Sequence, residues 1–110
     1  MLAAITNIIR DKGNAIPGYR EAARTARQQA TKDIERSVGY FLLGKAAQEF
    51  ADAYCEEPLH ADTAEQQLAR LEGFACVLDE AFEAPDLQRR LEALSYVARA
   101  MSGDCATATT

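Results

Sequence analysis

The sequence predicts an all-α fold, a small bundle of about four helices. Apolar residues recur at steps of three and four along nearly the whole chain, and no stretch alternates as a half-buried strand does. We expect one long helix over 19–56, straight or kinked near 37–39, to pack against an antiparallel helical hairpin. With 110 residues, 48% hydrophobic and 26% charged, the chain has the size and composition of one globular domain.

The first predicted helix covers residues 2–12. Its apolar side chains share one face, and the pair Gly13-Asn14 ends it. These side chains are Leu2, Ile5, Ile8 and Ile9. A helix of this length is marginal in isolation, so we expect it to dock on the rest of the domain.

The predicted helix over 19–56 has two unlike halves, and the absence of proline between Tyr19 and Pro58 favours one helix over two. The first half carries a stripe of alanines, which suits either close packing or exposure. The second half, 34–54, is expected to form the centre of the core. Its large apolar residues are Ile34, Val38, Phe41, Leu42, Phe50 and Tyr54. Gly39 and Gly44 are expected to bend the helix or to admit another backbone closely.

The hairpin is predicted from two matched apolar seams. The first is Ala64, Leu68, Leu71, Ala75, Leu78 and Phe82; the second is Leu87, Leu91, Leu94, Ala98 and Met101. Their steps of four and three are typical of packed antiparallel helices. We expect Asp62 or Thr63 to cap the first helix and Pro85 to lie in the first turn of the second. The domain should cover 1–103, with 104–110 as a disordered polar tail.

The residue types that usually carry chemistry are sparse. The three cysteines, Cys55, Cys76 and Cys105, are odd in number and lack C-x-x-C spacing, which indicates reduced thiols in a cytoplasmic protein. Cys76 is expected to be a small core residue, and His60, the single histidine, an exposed loop residue. Paired acids such as Glu56-Glu57 are expected to form a solvated face. We therefore predict no catalytic residue, no metal site, no cofactor and no membrane contact, and hence no enzyme.

Charge is divided unevenly along the chain. Residues 1–45 hold eight Lys/Arg against four acids, whereas 46–110 hold four against thirteen, within a total net charge of −5. On the predicted helix, basic and polar side chains gather opposite the alanine stripe. The candidate partner-binding residues are Arg20, Arg24, Arg27, Thr31, Lys32 and Arg36. Acids interspersed among them can also form ion pairs at i,i+3 or i,i+4, which leaves a simple solvated face as an alternative.

The favoured interpretation is a small protein-binding module of the inhibitor, adaptor, antitoxin, immunity or chaperone type. It would use the basic helix face 19–36, with the acidic C-terminal half as a second surface. The main alternative is a dimeric nucleic-acid-binding regulator that uses the same basic helix on phosphates. Against nucleic acid stand the isoelectric point of 4.8 and the lack of interleaved aromatic residues. A third hypothesis is self-association, because oppositely charged halves can pair between two copies.

Overall fold

The computed structural model describes residues 1–54 and 59–109, with side chains described as far as Gly103. Within this part of the chain the fold is all-α and holds five helices, without a strand. They are α1 (Ala3–Asp11), α2 (Ile16–Lys32), α3 (Ser37–Ala53), α4 (Ala61–Glu83) and α5 (Leu87–Thr109). The predicted class is therefore confirmed. A disordered tail at 104–110 stays a prediction.

The single long helix over 19–56 is wrong, because α2 and α3 are separate helices joined by residues 33–36. Asp33 leaves the helical conformation at φ −113° and ψ 93°. Its Oδ1 then accepts a hydrogen bond from the backbone N–H of Arg36, at 3.2 Å. A short polar side chain that accepts a backbone N–H three residues ahead stabilises a turn, so the chain reverses here without glycine or proline.

Close packing holds α2 and α3 together as an antiparallel hairpin. Ala22, Ala23 and Ala26 are fully buried. A Cβ built on Gly44 would lie 3.0 Å from the Cβ of Ala26 and 3.4 Å from the carbonyl oxygen of Ala23. The alanine stripe is therefore a packing surface. Of the two roles predicted for the glycines, a bend or the close approach of another backbone, Gly44 has the second, because it allows the backbone of α2 to come close.

The prediction that Ile34, Val38 and Phe41 lie in the core is wrong. They expose 89%, 53% and 54% of their surface, respectively. Of the other predicted residues, Phe50 is buried, and Leu42 and Tyr54 are partly buried against the core. The buried side of α3 also contains Tyr40 and Leu43, which the pattern did not include. Both sides of α3 are apolar. The side that contains Gly44 is buried because its small residues allow α2 to approach closely.

The seam predicted on α4 is buried along its whole length, from Ala64 to Phe82. The seam predicted on α5 is only partly right. Leu94 and Met101 pack against the core, but Leu87 and Leu91 expose 76% and 59% of their surface. The fully buried residue of α5 is Val97.

The N-terminal end of α1 is fixed to α4 by Asp79. Its carboxylate accepts hydrogen bonds from the backbone N–H groups of Leu2, at 2.9 Å, and Ala3, at 3.2 Å. It also lies 3.3 Å from the N-terminal amine. At the other end of α1, Arg10 and Glu72 form an ion pair at 2.6 Å. The short first helix is docked as predicted.

The capping residues differ from the predicted ones. Helix α4 begins at Ala61 with His60 in the N-cap position, so neither Asp62 nor Thr63 caps it. Helix α5 begins after Pro85, and the carboxylate of Asp86 accepts a hydrogen bond from the backbone N–H of Gln88 at 2.9 Å.

Candidate functional site

Four of the six predicted partner-binding residues lie together on the outer face of α2. Arg20, Arg24, Arg27 and Thr31 are all exposed and follow one another at steps of four, three and four. At a rise of 1.5 Å per residue they form a stripe roughly 16 Å long. With Gln28 and Gln48 they line a shallow, open depression, which we call the basic groove.

The groove faces outward because the opposite side of α2 is fixed in the core. Tyr19 is fully buried, and its hydroxyl donates to Asn14 Oδ1 at 2.9 Å. Its ring lies against Phe50 with the centroids 4.7 Å apart. Burial, assisted by the nearby charge of Glu72, raises the pKa of Tyr19 to about 12. An anchored Tyr19 and the buried alanines leave only the arginine side of α2 for solvent.

Two of the groove arginines have partners within the chain. Arg24 forms an ion pair with Glu21, one turn earlier. Arg27 donates a hydrogen bond to Gln48 Oε1 at 3.1 Å, and the amide of Gln48 in turn donates to Asp52 at 2.8 Å. For Arg20, no ion pair is seen within the described residues. Among the described residues, the groove thus has one guanidinium without an ion pair (Arg20), one neutralised by Glu21 (Arg24) and one held in place by a neutral amide (Arg27).

The structure does not bring the remaining two predicted residues into the groove. Lys32 is exposed, but it projects from a neighbouring side of the last turn of α2. Arg36 lies in the turn before α3, where its side chain is only 18% exposed. Its guanidinium contacts Asp33 at 3.5 Å and lies 5.6 Å from the ring centroid of Phe82. Arg36 therefore has a structural role at the junction of α3 and α4.

Sequence reasoning missed the two glutamines of the groove. Gln28 follows the stripe on α2 and was identifiable from helical spacing alone. Gln48 belongs to α3, and its place in the groove depends on how the two helices pack. No local pattern in the sequence carries that information.

The structure describes two of the other candidate residues, His60 and Cys76. His60 is exposed, as predicted. Cys76 is exposed as well, so its prediction as a core residue is wrong. Glu80, 3.7 Å from the thiol, raises the pKa of Cys76, which disfavours the reactive thiolate. Within residues 1–54 and 59–109, no three His, Cys, Asp or Glu side chains converge as metal ligands. Cys55, Cys105 and the pair Glu56-Glu57 lie outside the described side chains.

The acidic C-terminal half is divided between internal and external contacts. Glu72 and Asp79 face α1. Glu72 forms an ion pair with Arg10, and Asp79 accepts a hydrogen bond from the backbone N–H of Leu2 at the start of α1. Other acids of α4 and α5 are exposed: Asp62, Glu65, Glu80, Glu83, Asp86 and Glu92. Their use as a second binding surface stays a prediction.

No known protein family, curated protein or solved structure matches this chain. In the described part of the chain, no helix combines the length and the apolar character that crossing a membrane requires. The interpretation of the site therefore depends on its geometry and charge.

Proposed function

We propose that this protein is a small binding module without catalytic activity that recognises an acidic surface of another protein through the basic groove. The observation that supports this function is the exposed stripe of Arg20, Arg24 and Arg27, presented on a helix whose other side is rigidly packed. The groove supplies guanidinium, amide and hydroxyl groups, which can bind the acidic side chains of a partner protein and orient that partner. It contains no nucleophile with an adjacent base, and its chemistry requires no cofactor.

The spacing of the arginines indicates the geometry of the partner. Guanidinium groups bind carboxylates through two parallel hydrogen bonds, which gives directional recognition. Carboxylates at steps of four and three on a partner helix would match Arg20, Arg24 and Arg27 in an antiparallel or parallel alignment. Gln28 and Thr31 lie next to the arginines on α2, and they can donate or accept hydrogen bonds at the polar rim of a protein–protein interface.

A nucleic-acid function is less well supported than a protein-binding function. A phosphate backbone is bound by the number of cations that contact it. Here Arg36 is held at the α3–α4 junction, and the groove contains no aromatic side chain on which a base could stack. Two or three cations on a chain of net charge −5 make a weak phosphate site.

Capture from a lysate of the protein's own cell, with charge-reversal variants, tests the proposal. The tagged protein, the double variant Arg24→Glu with Arg27→Glu, and a control double variant Arg89→Glu with Arg99→Glu would be compared with and without nuclease. The control makes the same change of charge on exposed positions of α5. We expect a stoichiometric protein partner that survives nuclease, persists with the control and falls at least tenfold with the groove variant.

Two results would count against this function. Equal capture by the groove variant would remove the groove from recognition. Loss of all binding on nuclease treatment, with affinity that falls by about 0.9 logarithmic units per contacted phosphate for each tenfold rise in salt, would establish the nucleic-acid alternative.

A further inference from the structure

A second surface of the molecule exposes large apolar side chains. Ile34 lies in the turn before α3, Val38 and Phe41 on α3, and Leu87 and Leu91 on α5. We call this set the α3/α5 apolar face. Each of the five residues exposes more than half of its surface, which is unusual for so many large side chains on neighbouring elements.

The ends of α3 and α5 that carry these residues are joined by direct contacts. Glu35, next to Ile34, forms an ion pair with Arg90 at 2.5 Å. Arg90 also donates a hydrogen bond to the carbonyl oxygen of Phe82 at 3.1 Å. Leu87 and Leu91 lie on either side of Arg90 in sequence. The ion pair between Glu35 and Arg90 therefore brings the two apolar groups close to each other.

The size of this face corresponds to one half of a protein interface. Its five side chains expose on the order of 600 Å² of apolar surface, at the upper end of what monomers leave in water. A standard interface buries about 800 Å² per partner, of which somewhat more than half is apolar. Pairing two such faces would therefore supply the apolar core of a stable dimer.

Several charges near the face are paired within the chain, and the exposed acids Asp86 and Glu92, close to Leu87 and Leu91 in sequence, accept hydrogen bonds from Gln88. Glu35 is bound to Arg90, Arg36 to Asp33, and Lys45 to Glu49 at 3.4 Å. Because a two-fold dimer brings each patch against an identical one, a patch with an excess of one charge would repel itself. Opposite charges that are paired at the edge of an apolar centre limit that repulsion.

We propose that the α3/α5 apolar face pairs two copies of this chain in a two-fold symmetric dimer. The interface is distinct from the basic groove on α2, so partner recognition and dimer formation are separable by substitution.

Sedimentation equilibrium of the full chain tests the dimer. For a dissociation constant on the order of 1 μM, almost all of the protein is dimeric at about 0.1 mM. At that concentration the expected mass is twice the 12.0 kDa of one chain. Val38→Glu and Leu91→Glu should each raise the dissociation constant at least tenfold. Ala69→Glu is the control, because it places the same negative charge on an exposed position of α4, outside the α3/α5 apolar face. A variant at the other end of the groove, Arg20→Glu with Arg24→Glu, should remain dimeric, because neither residue lines the depression that contains Phe41.

The dependence on salt distinguishes this apolar interface from a dimer in which the oppositely charged halves of two copies pair. A dimer held by apolar contacts between chains of net charge −5 should persist or tighten at about 0.5 M salt, where charge repulsion is screened. A wild-type mass of one chain throughout the concentration range would overturn the proposal. So would a dimer that dissociates in salt, or one unaffected by both Val38→Glu and Leu91→Glu. Circular dichroism of each variant verifies that it is folded.

Discussion

At the scale of single residues, Asp79 has a structural role unlike that of the other acids. Its carboxylate, with a side chain only 20% exposed, binds the first two backbone N–H groups of α1. These groups lack partners inside the helix, and a negative charge at a helix N-terminus interacts favourably with the helix dipole. One side chain thereby satisfies the start of α1 and joins it to α4.

We predict that Asp79→Ala lowers the free energy of unfolding by about 2–3 kcal/mol, because hydrogen bonds to a charged acceptor are lost at a partly buried site. Urea unfolding followed by circular dichroism would measure the loss. Glu80→Ala is the control, since it removes an exposed carboxylate one position along. Equal stability of the two variants would show that Asp79 is no more than a surface acid.

Tyr19 makes the stability of the fold sensitive to alkaline pH. Its pKa is about 12 in the folded protein, because it is buried, and about 10 when unfolded. Between these values the unfolded chain loses the phenolic proton while the folded chain keeps it. The stabilisation is therefore complete below pH 10 and declines as pH rises toward about 12. Tyr40, whose pKa is also raised by burial, acts in the same direction.

We expect Tyr19→Phe to weaken this alkaline decline and, at neutral pH, to cost about 1 kcal/mol for the lost hydrogen bond to Asn14. Urea midpoints at neutral and strongly alkaline pH would measure both effects. Tyr96→Phe, which removes an exposed hydroxyl, is the control. An unchanged alkaline slope in Tyr19→Phe would show that another group causes the decline.

At the scale of elements, the α2–α3 hairpin depends on the absence of a side chain at Gly44. An added methyl group would meet the Cβ of Ala26 at 3.0 Å, so the two helices would have to separate slightly. Gly73 on α4 is the opposite case, since a Cβ there would meet nothing within 4 Å.

We therefore predict opposite signs for the same substitution at two helical glycines. Gly44→Ala should destabilise the fold by about 1–3 kcal/mol through overpacking. Gly73→Ala should stabilise it by about 0.5–1 kcal/mol, because alanine restricts the unfolded chain and favours a helix. Thermal unfolding of both variants measures the difference. A stabilising Gly44→Ala would mean that α2 and α3 are less closely packed than the structure shows.

The elements differ in how well the sequence predicted them. Helix α4 was predicted along its full seam, because only one of its sides is apolar. The core side of α3 was predicted only in part: Phe50 is buried as expected, but Val38 and Phe41, which dominate a count of apolar area, are exposed. Its true core side contains Gly44 and Ala47, whose contribution comes from close approach of α2. In the sequence, the only sign of the turn at 33–36 is Asp33, a residue that can accept a backbone hydrogen bond. The absence of proline and glycine from this stretch favoured a continuous helix instead.

The candidate site was predictable to the extent that it belongs to one helix. The order of Arg20, Arg24, Arg27 and Thr31 follows from helical spacing alone. Arg36 was predicted to join them only because α2 was expected to continue, and the turn at 33–36 turns it toward Phe82. Gln48 could not be predicted, since its position depends on contact between α2 and α3.

At the scale of the whole molecule, the two proposed surfaces meet on the α2–α3 hairpin. Arg27, Phe41 and Gly44 line one small depression, so the basic groove borders the α3/α5 apolar face. A dimer formed through that face would carry two grooves. A partner with two acidic segments would then bind with an avidity greater than that of either groove alone.

The contact between α1 and α4 has a consequence for synthesis of the chain. Leu2 is covered by Leu78 and Phe82 near Gly39, and Asp79 binds the start of α1 from more than seventy residues away. A ribosome adding about 5–20 residues per second needs several seconds to make that partner. Before then the nine-residue α1 can meet α2 near Gly18 and α3 near Gly39, but it lacks its contacts with α4. The final docking of α1 therefore waits until α4 has been synthesised.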